Sequence, residues 1–201
     1  MDEGYFRGIK EHPEISIRDV RIIQRHHASP DLVVDLGCGR GGFVAMCRKA
    51  EVDAIGVDNE PVAAAICRAQ GLPFLLADVT ALPFASASLD VVRAKEIIEH
   101  LTDPRGMLWE VYRVLRPEGL FLPHVPSQFS ALYPVANFWD DYTHVRPLSR
   151  LGLTRLLEDT GFEVEFVKGY TAGRNPTERA LGRAISLVLP HTWVAVARKP
   201  R

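Results

Sequence analysis

The sequence predicts an α/β chain folded as a doubly wound parallel sheet with helices on both faces, and three observations predict it. Short apolar runs alternate with stretches of helical periodicity from residue 32 onward, the pattern of parallel strands joined by crossover helices. Three of those runs close on an aspartate: Asp35, Asp58 and Asp78. The first also breaks into a glycine-rich turn, VVDLGCGRGGF over Val33–Phe43, with four glycines in six positions.

Taken in order, Ser16 and Asp19 form a capping-box-like pair ahead of Ile17, Val20 and Ile23. That pair predicts a first helix running to His27, stopped by Ser29-Pro30. The first strand spans Leu32–Leu36, and residues 43–50 read as a helix. DAIGVDNEP is a second strand ending at Asp58, with Pro61 opening the next helix and Gly71 ending it. PFLLAD is a third strand ending at Asp78, and LDVVRA (Leu89–Ala94) is the fourth. Asp103-Pro104 caps a helix through Leu115, with Trp109 and Val111 as its core residues. Pro117–Gly119 then turns the chain into a fifth strand, LFLPHV.

The second half is less regular. Residues 126–148 carry five aromatics with no period, and so long a loop in a compact domain reads as a lid or an Ω-loop. Ser149–Thr160 is a capped helix ending at Gly161, FEVEFVKGY a strand, and TWVAVARK a last strand at or near a sheet edge. Between those strands, residues 171–190 hold a helix over Thr177–Leu189. Its apolar stripe of Ala180, Leu181, Ala184, Ile185, Val188 and Leu189 is expected to pack beside residues 129–146 or to serve a dimer contact.

Composition narrows the function classes. With 201 residues and 47% hydrophobic content, the chain suits one domain with a full core. A formal net charge of −1 offers no general attraction to nucleic acid or anionic lipid. The basic residues of the last third read as a solvated face. Cys38, Cys47 and Cys67 are isolated and lack metal-ligand spacing, which suits a reducing compartment. The opening residues have no apolar core of the signal-peptide kind, and no run is long enough to span a bilayer. The expectation is a soluble, cytoplasmic monomer or homodimer.

In a doubly wound sheet, ligands sit outside the carboxyl ends of the strands, where Asp35, Asp58 and Asp78 would all project. Gly37, Gly39 and Gly42 formally fit a dinucleotide fingerprint. Asp35, two residues ahead of the first glycine, would repel a pyrophosphate and favours a cationic or N–H-bearing ligand. The interval of about twenty residues from the turn to Asp58 suits an acid on a ribose. Asp78 with the N–H of Val79 offers an acceptor and a donor to an adenine edge.

These residues resemble the class I S-adenosylmethionine-dependent methyltransferases, and the resemblance runs from Leu32 to Lys199. Asp35-Leu36-Gly37-Cys38-Gly39 with Gly41 is similar to the family's cofactor turn, Asp58 to its ribose acid, and Ala77-Asp78-Val79 to its adenine site. Asn59 and Lys95 join the implied cofactor contacts. RVLRPEGLFL resembles the family's entry to its fifth strand, with Glu118-Gly119 where two glycines are usual. Tyr5-Phe6 resembles an aromatic pair closing over the methionine end. The resemblance implies a Rossmann-like sheet of about seven strands, the last antiparallel. The usual tight final hairpin is here interrupted by about twenty residues, long for a hairpin loop.

Methyl transfer from a sulfonium asks the protein to align a nucleophile and, for a hydroxyl, to take its proton. Candidate groups are His100, His124, Asp140, Asp141 and His144, with His100, His144 and Asp140 the leading catalytic set. In KEIIEHL, helical spacing would put Glu96, Glu99 and His100 on one face. With His144 they would make a set for Mg²⁺ or Mn²⁺, similar to the metal site of small-RNA terminal-ribose methyltransferases. ExxEH alone resembles a metal-binding segment of ubiquinone-pathway O-methyltransferases. The metal-free reading, in which these residues cap a helix and shape the pocket, is preferred.

Phe138, Trp139 and Tyr142 with Asp140, Asp141, His144 and Arg146 suit an aromatic or polyhydroxylated small molecule. The segment resembles lids of small-molecule and glycan-associated methyltransferases, which implies O-methylation. A metal-assisted RNA ribose methyltransferase and a nonenzymatic S-adenosylmethionine-binding module are the alternatives. An NAD-dependent dehydrogenase ranks behind them because of Asp35.

Overall fold

The computed structural model describes residues 13–26, 32–133, 137–171, 184, 185 and 187–201. Its elements are α1 (Pro13–His26), β1 (Val33–Leu36), α2 (Gly42–Lys49), β2 (Ala54–Asp58), α3 (Pro61–Ala69), β3 (Phe74–Leu76), β4 (Leu89–Lys95), α4 (Arg105–Val114), β5 (Leu115–Pro126), α5 (Arg150–Thr160), β6 (Glu163–Tyr170) and β7 (Thr192–Arg198). The strands form one seven-stranded sheet in the order β3-β2-β1-β4-β5-β7-β6. β7 runs antiparallel to both its neighbours, and the other pairings are parallel. The order reverses between β1 and β4, so the crevice outside their carboxyl ends is the ligand position of this architecture.

β1 is buried along its whole length because both faces are covered. Val34, Leu36, Val92 and Ala94 meet Met107, Leu108 and Val111 of α4 and Leu153 and Leu157 of α5. Val33, Val91, Leu120 and Leu122 meet Ile23 of α1, Phe43, Val44 and Cys47 of α2, and Cys67 of α3. β7 is a near-edge strand; β6 forms the edge.

Several elements differ from the sequence expectation. Trp109 is 60% exposed, because α4 turns Met107, Leu108, Val111 and Val114 inward and leaves residue 109 on the opposite side. β3 stops at Leu76, two residues short of Asp78, which sits in the following turn. Pro117–Gly119 is an irregularity inside one long strand rather than a turn before it: pairing with β4 shifts register between Leu89 and Val91. There Glu118 holds φ 67°, the left-handed region that favours glycine, and its N–H donates to Lys199 O at 2.8 Å. Tyr5-Phe6 and most of the helix expected over Thr177–Leu189 lie outside the described residues. Of its stripe, Val188 is 72% exposed and Leu189 42%.

The largest correction concerns α1. It begins at Pro13, so Ser16 and Asp19 are interior positions and both are buried. Asp19 is directed inward to Arg93 of β4, whose Nε donates to Asp19 Oδ2 at 2.7 Å while Nη1 donates to Asp35 Oδ1 at 2.7 Å. The guanidinium carbon also lies 4.1 Å from the centre of the Phe43 ring. His124 on β5 is fully buried, with Nε2 3.2 Å from Asp19 Oδ1, and so is not the rim base that the sequence offered. Burial drives His124 toward its neutral form, against the pull of Asp19. Burial pushes Asp19 up, but His124 and Arg93 outweigh it and hold the carboxyl below its ordinary value.

Replacing Arg93 by Met removes the cation shared by two buried carboxylates. A loss of about 3–5 kcal/mol is expected, and urea unfolding with an unchanged midpoint would contradict the clamp. Because Asp19 is depressed in the fold, its contribution is present above the unfolded value of about 3.9 and lost as pH falls through the folded value. Asp19→Asn should therefore flatten the acid limb of the stability–pH curve.

Candidate functional site

β1 delivers the chain into the turn Gly37–Gly41. Gly37 has φ 63°, and a Cβ there would lie 1.8 Å from Ile97 Cδ1. Ile97 follows β4, so this contact joins the two strand ends that flank the reversal of strand order. Gly39 N–H donates to Asp58 Oδ2 at 2.9 Å, and Glu60 N–H donates to Asp58 Oδ1 at 3.0 Å. The carboxylate at the end of β2 is thereby locked to the glycine turn. Burial raises the Asp58 pKa, and the two N–H bonds oppose that shift.

Asp35 does not project onto the rim as expected: it is buried, with one oxygen committed to Arg93, so its side chain braces the turn from within. Asp78 is exposed; its Oδ1 accepts from Thr80 N–H and Oγ1, both at 2.7 Å, which lowers its pKa. Asn59 is exposed, and Lys95 Nζ lies 3.8 Å from Glu96 Oε2. Under the turn, Cys67 Sγ donates to Gly39 O at 3.6 Å. The Cys38 thiol is pushed up by its hydrogen bond with Cys67 and by burial, so these two cysteines are neighbours rather than isolated.

KEIIEHL does not form the expected helix face. Glu96 takes φ 56° and Ile98–His100 make a single 3-10 turn. Glu96 is consequently outside the group, while Glu99, His100 and His144 each place one donor atom within 4.8 Å of the others'. Glu99 is fully buried, and neither carboxylate oxygen has a hydrogen-bond partner among the described residues. Burial first, then the charge of Glu96, raises its pKa well above the ordinary value.

His144 reaches the group on the loop after β5. That loop has a closed neck: Gln128 N–H donates to Leu148 O at 3.0 Å and Leu148 N–H to Pro126 O at 3.4 Å. Val145 N–H donates to Glu99 O at 2.8 Å, and Arg146 Nη2 donates to Thr102 O, pinning the loop to the 3-10 turn. Thr143 Oγ1 gives its single proton to Asp141 Oδ1 at 2.6 Å, so at 2.8 Å it must accept from His100 Nδ1–H. His144 Nδ1 lies 2.6 Å from the Phe138 carbonyl, which can only accept. In its neutral form each ring therefore carries its lone pair on Nε2. Burial, then His144, lowers the His100 pKa and favours that neutral form.

Sequence reading missed Thr143 and Arg93. The Asp141-x-Thr143 spacing of an Asx-turn was the available signal for the first; the second had none. Asp140 is exposed, its carboxylate accepting from Asn137 N–H in a capping box. Phe138 is buried, whereas Trp139 and Tyr142 are exposed. The end of the 171–190 stretch touches the neck of the loop through its backbone: Tyr133 Oη donates to Leu189 O at 2.6 Å and Ser127 Oγ to Pro190 O.

Residues 34–122 match a family described as Methyltransferase domain. A protein of Mycolicibacterium smegmatis named as a probable S-adenosylmethionine-dependent methyltransferase is 32% identical over 177 residues, 87% of this chain and 68% of that protein. A similarly named protein of Mycobacterium tuberculosis (H37Rv) is 33% identical over 132 residues, 65% of this chain and 48% of that protein. The chain thus spans about two thirds of the first relative and about half of the second. The crystal structure of a SAM-dependent methyltransferase from Archaeoglobus fulgidus has the same fold, with a TM-score of 0.74 at 23% identity over 98% of this chain and 97% of that one.

Gly37→Ala is expected to lose stability by about 1–3 kcal/mol through overpacking against Ile97. Adding Ile97→Ala should recover part of that loss and leave the strain of the left-handed backbone. Thermal unfolding of the single and double variants measures both, and a full recovery would show that φ carries no cost.

Proposed function

The chain belongs to the S-adenosylmethionine-dependent methyltransferases, and from that premise we propose that it methylates an oxygen atom of a small-molecule or glycan-related acceptor. The observation that carries the cofactor assignment is the Asp58 carboxylate, tied by one oxygen to Gly39 N–H and by the other to Glu60 N–H. Each oxygen keeps a further acceptor position, the pair that a ribose diol requires. Asp78 Oδ2, left without a partner among the described residues, and Val79 N–H are the proposed adenine contacts. Gly37, Cys38, Gly39, Gly41, Asn59 and Lys95 complete the proposed set.

Beneath the turn, two carboxylates (Asp19, Asp35) and one guanidinium (Arg93) leave a net negative charge. Such a field favours a cationic methionine end and disfavours a pyrophosphate. When bound, S-adenosylmethionine supplies a methyl carbon activated by its sulfonium, with a neutral thioether as leaving group. His100 and His144 form the acceptor side, with Asp141 and Thr143 orienting His100 so that Nε2 can take a proton or hold a cation. Trp139 and Tyr142 offer exposed aromatic faces on the same loop, which suits an aromatic or polyhydroxylated acceptor. Asp140 is left out, since its carboxylate serves the capping box. Among the described residues no helix is long and apolar enough to cross a membrane.

Calorimetry with S-adenosylhomocysteine should show loss of affinity in Asp58→Ala, about 1.5–3 kcal/mol for each charge-assisted hydrogen bond to the ribose. Unchanged affinity, or preference for NAD, would overturn the cofactor assignment. A screen of cell extract with methyl-labelled cofactor then tests the acceptor. A small-molecule ether or ester product supports the proposal, label on RNA redirects it to ribose methylation, and binding without any transfer indicates a regulatory module.

A further inference from the structure

We propose that Glu99, His100 and His144 form a binding site for one divalent first-row transition metal ion. One donor atom of each lies within 4.8 Å of the others'. Glu99 is wholly buried with neither carboxylate oxygen hydrogen-bonded among the described residues. A carboxyl in that position is costly unless a proton or a cation pairs it. In each ring Nδ1 is engaged, which leaves Nε2 as the nitrogen available to a metal. His100 Nδ1–H donates to Thr143, itself held by Asp141, and His144 Nδ1–H donates to the Phe138 carbonyl. Metal-bound imidazoles are held in this way by their other ring nitrogen.

The scaffold keeps the three together. Glu99 and His100 are consecutive in the 3-10 turn, and Val145 N–H on Glu99 O fixes the loop that carries His144. Metal–donor distances of about 2.0–2.2 Å would require the donors to close by about an ångström, a movement within reach of side-chain torsions. Glu96 is not a ligand; its backbone leaves the turn at φ 56° and its carboxylate faces Lys95 Nζ.

The donor set also selects the ion. Two imidazoles and one carboxylate suit Mn²⁺, Co²⁺ or Zn²⁺, whereas Mg²⁺ and Ca²⁺ prefer all-oxygen surroundings. Three protein ligands leave coordination positions open to water or another oxygen. The site stands next to the residue that packs on the glycine turn, Ile97. It goes beyond the methyl-transfer reading and does not depend on which acceptor is used.

Chelator-treated full-length protein, without cofactor, is titrated with MnCl₂, ZnCl₂ and MgCl₂ by calorimetry, with Mn²⁺ paramagnetic resonance as a second readout. One equivalent of Mn²⁺ or Zn²⁺ is expected, bound at least about tenfold more tightly than Mg²⁺. Glu99→Gln and His144→Ala should each weaken that binding at least about tenfold, the scale on which even outer-shell partners of a metal site act. A melting curve on each variant confirms that it is folded, and His144 lies on a loop rather than in a core strand. Absence of binding to the unaltered protein, or binding unchanged in both folded variants, overturns the site. Failure of S-adenosylhomocysteine to bind the unaltered protein would instead count against the methyl-transfer reading, so the two fail separately.

Discussion

The pairing of Arg93 with Asp35 and Asp19 is the interaction on which the rest of this structure depends. Burying two carboxylates on adjoining elements is unfavourable unless a cation sits between them, and the guanidinium of β4 reaches both at 2.7 Å. Its planar fork allows Nε and Nη1 to serve different partners at once, which an ammonium could not do in the same geometry. The result ties α1, β1 and β4 together directly beneath the glycine turn. A residue 74 positions away in sequence thereby decides that Asp19 faces the core rather than capping a helix.

From that base the rim is assembled by short contacts between strand ends. Ile97 fills the space that a side chain on Gly37 would take, and Gly39 is bonded to Asp58 across the β1–β2 boundary. The glycine turn is therefore braced from β4 and from β2. Such preorganisation matters for methyl transfer, in which alignment is the main demand on the protein.

The loop that carries His144 is organised differently. Its neck is closed by backbone pairing with Leu148, and Val145 and Arg146 hold it to the 97–102 segment. Positioning of His144 thus comes from bonds to main-chain carbonyls, while Trp139 and Tyr142 are exposed. A fully buried Glu99 whose carboxylate has no hydrogen-bond partner among the described residues, beside His100 and His144, is the least expected feature of that arrangement.

What the sequence determined by itself is the scaffold and the cofactor turn. Period, glycine placement and strand-end acids are local signals, and they located five of the seven strands to within a residue, missing the end of β3 and the start of β5, and anticipated the doubly wound order. Family resemblance added the antiparallel last strand. Only the tertiary structure decided which polar residues face each other. Asp19 and His124 carry ordinary local sequence, and nothing near them announces an arginine on β4. Glu96 looked equivalent to Glu99 because helical spacing was assumed; a left-handed residue and a 3-10 turn separate them. Trp109 looked like core by its chemistry, but the phase of α4 is set by where the sheet lies. Contacts between residues far apart in the chain depend on the packing of whole elements, and local pattern carries no information about that distance.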